Sequence, residues 1–151
     1  LQVIDSIFVY GTLKQNQVRS RFWPCLPQSI QPAVIRAALY DTGPFPAILS
    51  GDDWVLGELW MFAHSDIEKT LSALDEVEGF VANRLENLYD RIETEATLGD
   101  GAKVNAFTYC YADRNSLNRL RRIESTKQFA GHACAEWPDA LSRVPRSVEE
   151  E

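Results

Sequence analysis

The spacing of apolar residues divides this chain into stretches of two kinds, and most of them read with a period of two. Ile4 opens an apolar stretch that becomes Ile7-Phe8-Val9-Tyr10, β-branched and aromatic. That composition predicts a buried strand ending at Gly11-Thr12-Leu13. Lys14 to Pro32 is polar and interrupted by three prolines, so it predicts irregular structure with at most a short helical turn. Ala33 to Tyr40 predicts a second strand, closed by the turn residues of Asp41-Thr42-Gly43-Pro44-Phe45-Pro46. Ala47-Ile48-Leu49 reads as a brief strand before a turn at Gly51-Asp52-Asp53. Trp54 to Phe62 follows, with Val55, Gly57, Leu59 and Met61 on one face and Leu56, Glu58, Trp60 and Phe62 on the other. Gly57 in mid-strand predicts a bulge or a close backbone approach. Glu58 among aromatics predicts an edge position or a hydrogen-bonded partner. Leu88 to Ala96 and Lys103 to Ala112 flank Gly99-Asp100-Gly101 and predict a hairpin.

One stretch keeps a helical period instead. Ile67, Leu71, Leu74 and Val77 recur at spacings of four, three and three. Upstream, Ser65-Asp66-Ile67-Glu68 has the spelling of a capping box, and Gly79 stands where a left-handed C-terminal cap is expected. Asp66 and Glu68 suit the positive end of the helix dipole. Asp75, Glu76 and Glu78 crowd the negative end, where each placement costs about 0.3–1 kcal/mol at an exposed site. A repeated break of a local rule points to a functional reason; a solvated acidic helix end is the ordinary alternative. Past Asp113 the pattern thins. Leu117, Leu120 and Ile123 suit a short basic helix with Arg119, Arg121 and Arg122, and Ser147 to Glu151 reads as a frayed tail. The expected organisation is one domain over residues 1–113 and a C-terminal extension over 114–151.

Composition narrows the function. The formal net charge of −7, with no basic stripe, argues against a nucleic-acid backbone as partner. No apolar run approaches the roughly 20 residues of a membrane span. Cys25, Cys110 and Cys134 are scattered and form no C-x-x-C pair, which argues against a disulfide framework and for a reducing, cytoplasmic setting. His64 and His132 lie far apart with no ligand-spaced companions, so no metal is expected. Cys110 sits in an apolar strand and reads as a small core residue. There is no G-x-S-x-G elbow and no phosphate loop. What remains is a glutamate at a helix end and a glycine turn after the first strand. Such a turn lets backbone N–H groups converge on an anion, or is a plain strand-to-loop turn.

Five segments in order resemble the gamma-glutamylcyclotransferase-like superfamily, which includes the AIG2-like proteins. They are Phe8 to Leu13, Leu39 to Ile48, Gly57 to Trp60, Leu74 to Phe80 and Asn87 to Arg91, within residues 4 to 112. The resemblance implies an α+β fold, a mixed sheet curled into a small barrel with flanking helices and a pocket at its mouth. It implies that the backbone of Tyr10, Gly11, Thr12 and Leu13 holds a glutamyl moiety, that Glu78 is the catalytic acid/base, and that Tyr89 lines the pocket. The Tyr-Gly-Thr-Leu spelling is more similar to the gamma-glutamylamine cyclotransferase and AIG2-like branch than to the glutathione-degrading branch, which tends to carry Ser after the Gly.

The implied reaction asks for few protein groups. The substrate's own α-amine attacks its γ-carbonyl, and 5-oxoproline and an amine are released. One carboxylate can serve as base and then as acid, an effect typically worth about 10²–10⁴-fold. No side-chain nucleophile and no cofactor are called for, and the expected partner is a small gamma-glutamyl compound. A carboxylate-binding module without catalysis, on the same fold, is the alternative.

Overall fold

The computed structural model describes residues 3–11, 13–15, 17, 22–42, 46–81, 89–112 and 121–137. Its sheet is built on β1 (Ser6–Val9), β2 (Ser29–Asp41), β3 (Pro46–Met61), β4 (Tyr89–Leu98) and β5 (Lys103–Tyr111). Neighbours pair in the order β2-β4-β5-β1-β3, and β3 returns to β2, so the five strands close a barrel. β1 runs antiparallel to β3 and parallel to β5, which makes the barrel mixed. This is the α+β barrel that the resemblance implies, with α1 (His64–Glu78) between β3 and β4.

The period of two in β1 decides what lies on either side of the barrel wall. Phe8 and Tyr10 join Ala33, Ile35, Leu39 and Leu59 in the interior cluster. Ile7 and Val9 point the other way, into a second cluster with Ile67, Leu71 and Leu74 of α1. Leu74 is fully buried, so the apolar stripe read from the sequence is the face by which the helix docks. Gly57 permits the close approach of β1. A Cβ there would lie 2.3 Å from the Val9 carbonyl oxygen.

Three local expectations are corrected. Ala47-Ile48-Leu49 and Trp54 to Phe62 are not separate strands: β3 runs unbroken from Pro46 to Met61. Its Gly51-Asp52-Asp53 stretch is an irregularity against β2, whose register shifts between Arg36 and Ala38. Turn-forming residues in a long pair bent around a small barrel serve as a bulge. Second, α1 begins a residue earlier than Ser65. Its N-cap is Ala63, with no side-chain cap bond, so Ser65 and Glu68 form no capping box. Thr70 instead turns its hydroxyl to the Asp66 carbonyl, 2.8 Å away. Third, the basic helix expected around Leu117 to Ile123 falls mostly on residues outside those described, and its Arg121–Arg122 end is a strand, β6. Arg121 and Arg122 pair with Asp41 and Tyr40 at the end of β2.

The chain after β6 also joins the sheet. β7 (Lys127–Phe129) and β8 (His132–Glu136) form a hairpin, and β8 lies parallel to β3 with Trp54 opposite Cys134. Ala135 and Trp137 enter the interior cluster. No helix among the described residues is long and apolar enough to cross a membrane.

Candidate active site

The end of β1 carries the first group of candidate residues. Alternation points Tyr10 into the barrel, where its hydroxyl donates to the Tyr109 carbonyl at 2.5 Å. Burial, reinforced by the negative charges that Tyr89 and Glu78 can carry, holds this phenol's pKa well above its ordinary value. The Tyr10 hydroxyl therefore stays protonated and serves as a fixed hydrogen-bond donor.

Gly11 follows, and its small size has a steric reason. A Cβ on Gly11 would lie 2.3 Å from Cγ of Pro46. Gly11 is not among the glycines with positive φ, so room, rather than a left-handed backbone, is what the position demands. The Gly11 carbonyl accepts the Lys14 N–H at 3.0 Å, which closes a tight turn through position 13. Thr12 lies outside the described residues. Leu13 is buried against the helix-side cluster, and its carbonyl accepts the Trp23 indole N–H at 2.9 Å. Glu58 accepts the Gln15 N–H at 2.8 Å and the Trp60 indole N–H at 3.1 Å. The expected partner for this mid-strand acid is thus the stretch that follows the Tyr10 turn.

The end of α1 carries the second group. Gly79 adopts φ 73°, and the N–H groups of Gly79 and Phe80 bond the carbonyls of Glu76 and Asp75 at 3.3 and 2.8 Å. This doubly bonded left-handed cap stops the helix one residue after Glu78. Glu78 is the last helical residue and is half-buried. Its charge contributes to raising the pKa of both Tyr10 and Tyr109, after burial in each case and, at Tyr109, after the bond to Asp75. The carboxylate and the two phenols therefore share one electrostatic environment. Asp75, one turn back, accepts the Tyr109 hydroxyl and an Arg91 N–H, each at 2.6 Å.

Tyr89, at the start of β4, completes the arrangement. It is buried, donates its hydroxyl to the Pro46 carbonyl at 2.7 Å and meets Tyr111 edge-on. Pro46 thus touches two of the candidate residues, Gly11 through its ring and Tyr89 through its carbonyl. In the sequence Pro46 reads as turn punctuation and Tyr109 as one more apolar strand residue. The available signal was at Asp75, an acid at the unfavourable end of a helix, whose partners had to come from elsewhere in the chain. Among the described residues, no three His, Cys, Asp or Glu side chains gather as a metal site would require.

Comparison with known proteins identifies the family. A family profile described as gamma-glutamyl cyclotransferase, AIG2-like, matches residues 7–129. The chain belongs to this family. The match runs past residue 113 and takes in β6 and β7. The family is one of enzymes. The gamma-L-glutamyl-butirosin B gamma-glutamyl cyclotransferase of Niallia circulans is 31% identical over 128 residues, 83% of this chain and 78% of that one. A mouse AIG2-like protein of known structure superposes with a TM-score of 0.60 at 21% identity, covering 92% of this chain and 99% of the mouse protein. YkqA from Bacillus subtilis gives 0.59 at 17% identity over 82% of this chain, which spans only 39% of that larger protein. At such identities the two structures are evidence of a shared fold.

Proposed function

We propose that this cyclotransferase-family protein converts a gamma-glutamyl amide into 5-oxoproline and a free amine, with Glu78 as the acid/base. The observation that carries the reading is the position of Glu78. It is a half-buried carboxylate at a capped helix end, and its charge acts on Tyr10 immediately before the Gly11 turn.

Each step uses a group of suitable chemistry. The backbone after Tyr10 is the expected holder of the glutamyl carboxylate, and buried Tyr10 and Tyr89 supply aromatic surface beside it. Folding the substrate back on itself turns a flexible chain into a near-attack conformer. Glu78 takes a proton from the α-ammonium. The freed nitrogen attacks the γ-carbonyl carbon, a C–N bond closes the five-membered ring, and the amide C–N bond breaks. Glu78 then returns its proton to the departing nitrogen, and the ring nitrogen gives up one more, so that the released amine leaves as its ammonium. The positive charge passes from substrate to product, and no net proton is consumed.

The similar protein from Niallia circulans is described as acting on a gamma-glutamyl group on butirosin B, which supports a gamma-glutamyl amide as the substrate class here. The Tyr-Gly-Thr-Leu spelling agrees with that class. The test is 5-oxoproline release from a panel of gamma-glutamyl amides, with Glu78→Gln as control. Release that disappears in the variant supports the reading. Wild-type turnover by Glu78→Gln refutes the role of Glu78. Stabilisation by the compounds with no release from any of them leaves only a binding module.

A further inference from the structure

Asp75 takes no part in the proton transfer above, yet both of its oxygens are engaged. Oδ2 accepts Arg91 Nη1 from β4 and Oδ1 accepts the Tyr109 hydroxyl from β5, each at 2.6 Å. The Arg91–Asp75 pair is only 26% and 21% exposed, unlike a solvated surface ion pair, which contributes little. The Arg91 guanidinium also lies 5.4 Å from the Phe80 ring and 5.3 Å from the Phe107 ring. It therefore grips the end of α1 twice, at Asp75 and just past the Gly79 cap. Tyr109 extends the linkage, because its carbonyl accepts the Tyr10 hydroxyl. A continuous path thus runs from α1 through β5 to the end of β1.

Asp75 and Glu78 are three residues apart, which makes them neighbours on one helix face. We infer that Asp75 is a positioning residue: through Arg91 and Tyr109 it fixes the last turn of α1, and with it the Glu78 carboxylate, against the Tyr10 end of β1. The inference rests on Glu78 being the proton carrier proposed above. It explains why an acid is kept where the helix dipole disfavours one. A displacement of about 1 Å at a reacting group costs up to about 10²-fold in rate, so the anchor acts on turnover more than on affinity.

The experiment combines steady-state kinetics of 5-oxoproline release with amide exchange at Gly79 and Phe80 in Asp75→Asn, Tyr109→Phe and exposed Glu76→Gln. Asp75→Asn is expected to lower kcat by about 10- to 100-fold with KM within about threefold. Tyr109→Phe, which removes only a hydroxyl, is expected to lower kcat by about 3- to 10-fold. Both variants should speed exchange at the helix end, and Glu76→Gln should change neither quantity. If Asp75→Asn does not fold, Tyr109→Phe carries the test alone. Faster exchange with kcat intact makes the cluster merely structural, and a raised KM with kcat intact makes Asp75 a substrate contact. Either result overturns the inference, as does unchanged exchange in both variants. A wild-type protein that releases no 5-oxoproline sinks the reaction instead, and the exchange data still report on the anchor.

Discussion

The two sides of the candidate site are held by different means. On the β1 side, where the proposed function uses backbone N–H groups, the support is steric fit and single hydrogen bonds. Pro46 packs on Gly11, Trp23 bonds the Leu13 carbonyl, and Glu58 bonds the Gln15 N–H. On the α1 side, where the proposed function uses the Glu78 side chain, the support is a charged anchor with a capped helix end. A turn that binds through its backbone tolerates many side chains of its own but depends on neighbours to hold its shape. A side chain proposed to move a proton depends on the element that carries it, and α1 is held at that end by Arg91 and Tyr109.

Breaking the α1 side at Glu78 should have the largest effect. Glu78→Gln keeps size and shape while removing the proposed acid/base, and 5-oxoproline release should fall by about 10²–10⁴-fold with the melting temperature little changed. Breaking the β1 side should act through binding and stability. Gly11→Ala places a Cβ 2.3 Å from Pro46 Cγ, so ring and turn must separate. The expected cost is about 1–3 kcal/mol in denaturant unfolding, together with a raised KM in any variant that still folds. A smaller effect is expected from Glu58→Ala. It leaves the Gln15 N–H and the Trp60 indole to find other acceptors, at about 1 kcal/mol. Glu58→Gln, which retains a carbonyl oxygen, should recover most of that loss, measured as the shift in melting temperature.

The finest test is electrostatic. Burial, before any other cause, raises the phenol pKa values of Tyr10 and Tyr109 above the ordinary tyrosine range. A raised folded-state pKa means that the unfolded chain loses these protons first as pH rises. The stability the phenols contribute is complete below about pH 10 and is lost as pH rises towards their folded values. Absorbance titration of the folded protein should show two tyrosines resisting ionisation near pH 10. Tyr109→Phe should remove one of them and flatten the alkaline loss of stability. Normal titration of every tyrosine would contradict the buried network.

Much of the fold was readable because it rests on periodicity. The stripe from Ile67 to Leu74 is the docking face of α1, the alternation around Leu59 and Trp60 divides the two apolar clusters, and Gly79 and Gly101 take the positive φ that their turns require. The misreadings share one cause. Gly51-Asp52-Asp53 and Ser65-Asp66-Ile67-Glu68 carry strong local signals that describe what a short peptide prefers, and the closed barrel and the docked helix overrode both. β7 and β8 are strands of three and five residues with no usable alternation, so only their pairing partners define them.

The sequence by itself determined the elements with a long period and the family, because those depend on local order and on residue type. Only the tertiary structure decided that Asp75 belongs to Arg91 and Tyr109, that Glu58 holds the stretch after β1, and that Pro46 lies between Gly11 and Tyr89. Those partners stand 16 to 43 residues apart along the chain. Closing the barrel brings them within hydrogen-bond reach, and hydrogen bonds and ion pairs act only over a few ångströms, which no pattern in a linear sequence specifies.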